Sequence, residues 1–574
     1  MATFLRKLRL LVLDEAATQR RNTEQVWAKP VPARVAEGRA VEGLRIVGIQ
    51  PNGHIDLACE RNSSRFREGD ILCLNRGDPF ALPQVMVTLE SDDELHLTIS
   101  VEQPGLNWGE LERQPAGWIL DEGYLDLSQY VLDALDETAD RAVGRERILP
   151  LLMGLARPIL DTTRAERALA WADLQGLNWS QSEALAYAYA TDSGYLVQGP
   201  PGTGKTRVLA HLAQLLVEDG ERVLVTAFTH RAINNALNKL QKVSSKIPVA
   251  KIGQATRADD LLTENYEDFT SSPFADMSCG YVIGATPFAT RTRRLSGVEF
   301  ETVIFDEASQ ITLPLAIMGM LAGKKYIFVG DQKQLPPVLS THHSESLGSS
   351  VFAWLAGRGF DTMLTQTYRL NAELAEWPSR QFYDGALQPA EAAAKRRLSL
   401  PRPPTRLAYI LNPADPKVFL DLRHRNTTTR SQAEASAVVD LITALLECGF
   451  PPAEIGVVAP YRAQGREIRN LLRKAVPDAT VRRQIITDTV ERMQGQERDL
   501  VIVSLTTSNP AFAAGLAEFF FQPERLNVAI TRPRMKLIVV GSQHVLNAQP
   551  AEPELRASVE LLRDLLASCT YHTL

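Results

Sequence analysis

From about residue 30 to residue 118, short apolar runs alternate with turn residues: LRIVGI, HIDLACE, DILCLN, QVMVTLE and ELHLTISV, broken by PNG, REGD, RGDP and SDDE. Strands at this spacing predict a small antiparallel barrel or sandwich. From 121 to 174 the period lengthens, with Tyr130, Leu132 and Leu135 and then Leu149, Leu152 and Leu155 at helical spacing, which predicts a helical stalk. From about 176 to 359 the runs GYLVQG, ERVLVTA, YVIGAT, ETVIFDE and KKYIFVGD alternate with helical stretches. That alternation predicts a parallel sheet with right-handed crossovers. It resumes after Asp361 with AEIGVVAP, the helical stretch RAQGREIRNLLRKA, DLVIVSL and MKLIVVG, while AAKRRLSLPRPP (393–404) reads as a surface crossing between the two halves.

The strongest local signal is GPPGTGKT, residues 199–206, placed between the run YLVQ and the helix TRVLAHLAQLL. Gly199, Gly202 and Gly204, spaced by Pro200, Pro201 and Thr203, let backbone N–H groups turn inward around phosphate oxygens, and the helix N-terminus adds partial positive charge. Lys205 is placed to reach the β- and γ-phosphates and the Thr206 hydroxyl to bind magnesium. The alternative, a Gly-rich turn before a surface helix, lacks a reason for this order. A phosphate loop indicates only a nucleotide; ETVIFDEASQ narrows the reaction. An Asp-Glu pair is usually a solvated turn, but Asp306 and Glu307 close an apolar run about two strands after the loop. There Asp306 can hold the magnesium and Glu307 can orient and deprotonate the attacking water. The next run ends in GDQKQLPPV, where Gln334 can sense the γ-phosphate and Pro336–Pro337 stiffen the loop that follows.

Length and charge alter this picture in limited ways. At about 100–200 residues per domain, 574 residues suggest three to five domains. A net charge of −6 opposes indiscriminate binding to nucleic acid, so any such role must rest on placed residues. The five cysteines, Cys59, Cys73, Cys279, Cys448 and Cys569, include no CxxC pair, against a zinc ribbon, an iron–sulfur cluster or a disulfide framework. The apolar stretch 10–13 is too short for a signal peptide and no run approaches a membrane span, so a reducing, cytoplasmic setting is expected.

An ordered series of strings then resembles the superfamily 1 helicases, in the branch of the nonsense-mediated-decay helicase and the Dna-two-type helicases. LNWSQ (177–181) is similar to the adenine-reading Q motif; GPPGTGKT, VLVTAFTH (223–230), VIGATP (282–287), DEASQ (306–310) and GDQKQLPP (330–337) follow in the family's order. TYRL (367–370), APYRAQ (459–464), DTVERMQGQERD (488–499) and LNVAITRPR (526–534) complete it. The resemblance implies an AAA-type P-loop core of α/β class: an N-terminal barrel domain (1–120), a helical stalk (121–173), and two RecA-like parallel-sheet domains, 174–360 and 361–574. It implies ATP and magnesium as cofactors, Gln181 at the adenine edge, Tyr368 on its ring, Glu497 at the ribose, and Arg369 and Arg532 reaching the γ-phosphate from the second lobe. An arginine brought across a cleft also makes hydrolysis depend on closure. Three positions depart from the family: Thr367 stands where Gln is usual, with Gln366 displaced by one; Pro533 follows Arg532; and Met493 replaces Phe.

The family's single-stranded DNA or RNA would run over Thr229, His230, Thr286, Tyr461, Arg462 and Thr489, contacts that suit an acidic chain because most are uncharged. Arg291/Arg293/Arg294, Lys239/Lys242/Lys246 and the stripe Arg462, Arg466, Arg469, Arg473 are either added basic contacts or solvated helix faces. Phe228 and Phe288 offer stacking surfaces, with core packing the expected use. Without a lysine between Lys29 and Lys205, an Asp…Glu-x-Lys nuclease is not expected, nor is a Cys/His-rich regulatory module. The expected activity is 5′→3′ ATP-dependent translocation and unwinding. The alternatives are an ATP-gated clamp without processive unwinding, or a nucleotide-binding scaffold indifferent to nucleic acid. DNA and RNA are not distinguished, since the motifs address phosphates and sugars.

Overall fold

The computed structural model describes residues 1–50, 53–62, 64–66, 68–93, 95–101, 113–258, 260–341 and 346–574. It separates into two compact units, residues 1–141 with 338–348, and residues 142–337 with 349–574.

In the first unit, β1 (Ala40–Ile49), β2 (Ile55–Ala58), β3 (Ile71–Asn75), β4 (Val85–Asp92), β5 (His96–Val101) and β6 (Ala116–Glu122) close an antiparallel barrel in the order β1-β2-β5-β4-β3-β6. Alternate residues turn inward, including Leu44, Ile46, Ile55, Leu57, Leu72, Leu74, Val87, Leu89, Leu97 and Ile99, and they form one apolar core with Trp118. Register shifts at Ile46/Gly48 and Leu89/Ser91 bend the strands so that they can close. The closing strand β6 was not among the strands expected from the sequence, yet it pairs with both β1 and β3. The expected barrel domain also begins differently: Ala2–Trp27 is a long helix, burying Leu8, Leu11, Val12 and Val26, and Val31–Ala36 is a short one.

The stretch expected to be one stalk divides. Ser128–Asp140 belongs to the first unit, whereas the π-turn Gly144–Ile148 and the helices Leu149–Leu152 and Thr162–Leu174 belong to the second.

In the second unit two parallel sheets carry the chemistry. The first contains β7 (Gly194–Gln198), β8 (Arg222–Thr226), β9 (Val249–Ile252), β10 (Glu264–Tyr266), β11 (Tyr281–Gly284), β12 (Thr302–Phe305), β13 (Lys325–Gly330) and β14 (Asp361–Met363), in the order β10-β9-β11-β8-β12-β13-β7-β14. The expected boundary after residue 360 therefore falls three residues early, because β14 pairs with β7 as the edge of this sheet. A two-stranded pair, β15 (Gln366–Thr367) and β16 (Gln388–Pro389), follows. The second sheet holds β17 (Lys417–Asp421), β18 (Ile455–Ala459), β19 (Ile486–Thr489), β20 (Arg498–Ser504), β21 (Pro533–Gly541) and β22 (Thr570–Thr573), in the order β19-β18-β20-β21-β17-β22. Both faces are covered: Val501, Val503, Leu537 and Val539 pack into one cluster, and the alternate residues Ile502, Ile538 and Val540 pack into the other. Strands buried on both faces read as continuous apolar runs, which is why VIVS and LIVV do not alternate. Among the described residues no helix is long and apolar enough to cross a membrane.

One charge pair anchors the barrel. Arg34 and Asp121 are both buried, with Arg34 Nε 3.1 Å from Asp121 Oδ1, while Arg34 also donates to the carbonyls of Trp27 (3.0 Å) and Gly77 (2.7 Å). Burial pushes the Asp121 carboxyl up, against the hydrogen bond from Asn75 and the charge of Arg34. Replacing Arg34 by Met leaves that carboxylate buried without its cation, which should cost about 3–5 kcal/mol. Because a raised folded-state pKa favours the protonated form, the loss should shrink as pH falls and be partly recovered by adding Asp121→Asn. Urea unfolding of the single and double variants checks this; an Arg34→Met loss that Asp121→Asn does not reduce would exclude a charge-based cause.

Candidate nucleotide and nucleic-acid sites

Strand order brings the candidate residues together. β13 lies between β7 and β12, so the phosphate loop, the GDQKQ turn and the Asp306–Glu307 pair leave three neighbouring carboxyl ends. This is the crevice where open parallel sheets bind ligands. The loop is braced from outside at its first amide and at the carbonyls of Pro201, Gly202 and Thr203. Gly199 N donates to Gly330 O (2.9 Å), Gln181 Nε2 to Thr203 O (2.9 Å), Thr367 Oγ1 to Pro201 O (2.8 Å), and Tyr368 N to Gly202 O (2.8 Å). Gly202 and Gly204 are required twice over. Their φ values are +75° and +84°, and a Cβ would lie 2.3 Å from Arg369 Cβ at Gly202 and 2.8 Å from Gln181 Nε2 at Gly204. Gly204 caps the helix Lys205–Glu218, which puts Lys205 and Thr206 in its first turn. Lys205 Nζ donates to Gly199 O at 2.6 Å across the mouth of the loop.

Gln181 is fully buried. Its carbonyl accepts from Asn178 N (3.2 Å) and its amide donates to Thr203 O, so it props the phosphate loop. The exposed groups beside it are Trp179, 75% accessible, and Tyr368, 38% accessible. Asn178 Nδ2 donates to the Tyr368 hydroxyl (2.8 Å) and to Gln366 (3.1 Å), and the Tyr368 hydroxyl donates to Gln366 Oε1 (3.0 Å), so the displaced Gln366 and Asn178 together hold Tyr368 in place. The departure at Thr367 has a clear use: its hydroxyl satisfies the Pro201 carbonyl while accepting from Arg369 N.

Asp306 follows β12, buried, and accepts from Glu307 N at 2.9 Å. Burial, then the like charge of Glu307, push its carboxyl up to about 7, against the pull of Lys205. Glu307 sits in the left-handed region (φ +49°), a strained backbone for a residue with a Cβ, and such strain clusters at functional sites. Gln494 of the second lobe approaches its carboxylate at 3.4 Å, a contact the sequence did not single out. The Thr206 hydroxyl and Asp306 carboxylate are hard oxygen donors, the chemistry magnesium takes.

The two arginines differ. Arg369 Nε pairs with Glu497 at 2.7 Å, and its guanidinium also donates to Thr531 O at 3.1 Å. Burial works to raise the Glu497 pKa, but Arg369 and then Arg534 hold that carboxyl below its usual range. Glu497 is thus engaged by two arginines. Arg532 is fully buried and bonded to neutral groups: Val528 O (2.8 Å), Thr531 Oγ1 (3.2 Å) and Gln496 O (3.4 Å). Among the described residues it has no ion pair within 4 Å. Burial, then the like charge of Arg369, draw it down to about 9, so it stays charged at neutral pH. A buried cation without a carboxylate is costly, and an anion in the cleft would relieve that cost.

Gln334 is buried and donates to Asp331 Oδ2 at 2.8 Å. The same oxygen accepts from the Tyr383 hydroxyl (2.7 Å), which accepts from Asn527 Nδ2 (2.8 Å) on the helix leading to Arg532. Tyr383 gives no signal in the sequence, because a tyrosine after an amphipathic helix reads as core.

Two AAA-domain family models match the chain, one over residues 181–340 and one over 347–544. The DNA replication ATP-dependent helicase/nuclease DNA2 of Saccharomyces cerevisiae is 27% identical over 421 residues, covering 68% of this chain and 27% of its own. The DNA polymerase alpha-associated DNA helicase A of Schizosaccharomyces pombe is 29% identical over 436 residues, 64% of each chain. The Regulator of nonsense transcripts 1 homolog of Drosophila melanogaster is 29% identical over 427 residues, covering 66% of this chain and 35% of its own. The chain belongs to the superfamily 1 helicases. It stands in the branch that these relatives share, and it spans less than two thirds of the length of each.

In this superfamily 1 chain the strand-contact candidates are not equivalent. Thr229 caps the helix His230–Val243 with its hydroxyl, and Phe228 beside it is 55% accessible, so the expected core role for Phe228 is wrong. Burial first, then Lys251, Arg257 and Arg294, lower His230 to about 4, so at neutral pH it offers an uncharged imidazole in a positive setting. Thr286 precedes the 3-10 turn Pro287–Arg291 and is half-buried. Tyr461 stacks on Phe519 (5.7 Å) and Phe520 (6.4 Å), an aromatic group that the sequence reading missed although FFF at 519–521 announces it. Arg462 opens the helix Arg462–Ala475 as predicted, and Arg469 from its stripe donates to Thr487 O at 2.9 Å. Thr489 is 4% accessible; burial works to raise the Glu491 pKa, but Arg525 and, to a lesser degree, the Thr489 hydroxyl hold that carboxyl below its usual range.

Thr367→Val keeps the shape of a buried side chain but leaves the Pro201 carbonyl unpaired, a cost of about 1–3 kcal/mol. We expect weaker binding of a fluorescent nucleotide or a lower unfolding midpoint, with Thr367→Ser restoring both. A Val variant equal to the parent in both measurements would remove the brace from the account of this loop.

Proposed function

We propose that the chain is an ATP-dependent helicase or translocase that hydrolyses ATP to move along single-stranded DNA or RNA, 5′→3′ as its branch implies, and to separate duplexes. The observation that carries this reading is the meeting of two lobes at one site. Lys205, Asp306, Glu307 and Gln334 come from the first sheet, and Gln494, Glu497 and Arg532 come from the second. Under this reading the loop amides and Lys205 bind the phosphates, Tyr368 packs on the base, and Glu307 orients and deprotonates water. Arg532 and Arg369 neutralise charge that develops on the transferred phosphoryl group. Thr206 and Asp306 would hold magnesium, which supplies charge neutralisation at the phosphates. Supporting nucleic acid as the track are the exposed Phe228 beside Thr229, the aromatic group around Tyr461, and the names of the relatives, two of them DNA helicases and one a regulator of nonsense transcripts. The five free cysteines support a reducing, cytoplasmic setting.

ATP hydrolysis measured without polymer, with single-stranded DNA and with single-stranded RNA tests the reading, Lys205→Ala serving as the inactive control. We expect strong stimulation by at least one polymer, and displacement of a strand from a duplex with a 5′ overhang. Glu307→Gln should retain ATP binding and lose hydrolysis. Arg532→Lys should lower kcat by about 10³-fold or more while leaving ATP affinity nearly unchanged, the scale on which such arginines act. Hydrolysis indifferent to both polymers sinks the motor; stimulated hydrolysis without strand displacement makes the chain an ATP-gated clamp.

A further inference from the structure

The helix Trp179–Ala190 has a second working face. Gln181 turns into the phosphate loop, whereas Glu183 and Tyr187, one turn apart on another side, line a cavity of about 380 Å³. Its other wall is Tyr195 on β7 with Phe360, Asp361 and Thr362 at the edge strand β14. Tyr187 and Tyr195 meet edge to face, their ring centroids 6.0 Å apart. The Tyr195 hydroxyl is bonded to Thr362 Oγ1 at 2.8 Å, so it faces the protein. The carboxylates of Glu183, half-buried, and Asp361, exposed at the mouth, form no side-chain hydrogen bond or ion pair among the described residues. Both are close enough to the Tyr195 hydroxyl that their negative charge adds to burial in pushing its pKa up.

The lining selects a ligand by charge and shape. No basic side chain lines the cavity, and two like charges share it with aromatic rings, whose faces attract cations and stack on flat guanidinium groups. A phosphate or nucleic-acid strand would be repelled, which separates this cavity from the nucleotide site on the same helix. Its volume lies in the range of small-ligand sites.

We propose that this cavity binds an organic cation, an ammonium or guanidinium group on an aliphatic stem, with the charge held between Glu183 and Asp361 and the stem on Tyr187 and Phe360. Such a group reaches the cavity either on a lysine or arginine of another protein or as a free polyamine. Calorimetric titration of the full chain at constant ionic strength, with N-acetyl-arginine amide and with spermidine as the probes, tests the proposal and separates the sources. Saturation by the arginine amide alone assigns the site to a protein side chain, by spermidine alone to a polyamine, and by both to either source. In each case Glu183→Gln/Asp361→Asn, and separately Tyr187→Ala, should weaken binding by about tenfold or more, a factor that corresponds to 1.4 kcal/mol. ATP affinity should stay unchanged in both variants, and the unfolding midpoint in the charge variant, which keeps the ring contact of Tyr187 with Tyr195. No saturable binding of either probe, or binding that survives both variants, overturns the proposal.

Discussion

A phosphate loop turns its amides inward, so its carbonyls point outward and must be answered by the protein around it. In this chain the answers come from separate places in the sequence. The buried Gln181 holds Thr203, and Thr367 with Tyr368 takes Pro201 and Gly202, while the Gly330 carbonyl at the end of β13 fixes the loop's entry by accepting from Gly199 N. The loop's shape is thus a property of the whole first lobe and of the segment that leaves it. The glycines at 202 and 204 allow both the left-handed backbone and the close approach of Arg369 and Gln181, and the same positions would be closed to any larger residue.

Charge is distributed unequally over the cleft. On the first lobe two adjacent carboxylates stand beside one lysine, and burial drives Asp306 toward its neutral form. On the second lobe Arg369 is neutralised by Glu497, while Arg532 has carbonyl and hydroxyl partners alone. Among the described residues the charge of Arg532 has no ion-pair partner on the first lobe, where Lys205 stands against the carboxylates. The chain Gln334–Asp331–Tyr383–Asn527 ties the turn after β13 to the helix that ends beside Arg532, entirely through buried hydrogen bonds. Buried networks of this kind are stiff because each unmade bond is expensive.

Much of the core was legible because its signals are local. Every strand that carries a site residue from β7 through β13 was read from a continuous apolar run, and the helix Arg462–Ala475 from its periodicity. Strands β17, β19 and β22 were not read: they are four or five residues long, and ITDT and TYHT carry polar side chains that only pairing with neighbours makes strand-like. The helix Ala2–Trp27 was missed because its buried positions are few against many charged ones. Site residues were legible where the chemistry is written in the residue type, as at Lys205 and Glu307. Direction is not written in the residue type: Gln181 points to the loop, Thr489 is buried, Phe228 points out, and Tyr383 acquires its role from residues far away in the chain.

The hydrogen bonds from Thr367 and Tyr368 to the loop also have a mechanical meaning. They fix one point of the segment that leads into the second lobe directly against the phosphate site. Any rotation of one lobe against the other that preserves these bonds has its fulcrum there. Displacement then grows with distance from the fulcrum, so residues around the nucleotide shift little while groups on the far rim of the sheets sweep through the longest arc. A lever built this way multiplies a small change at the phosphates into a large one at the rim of the lobes.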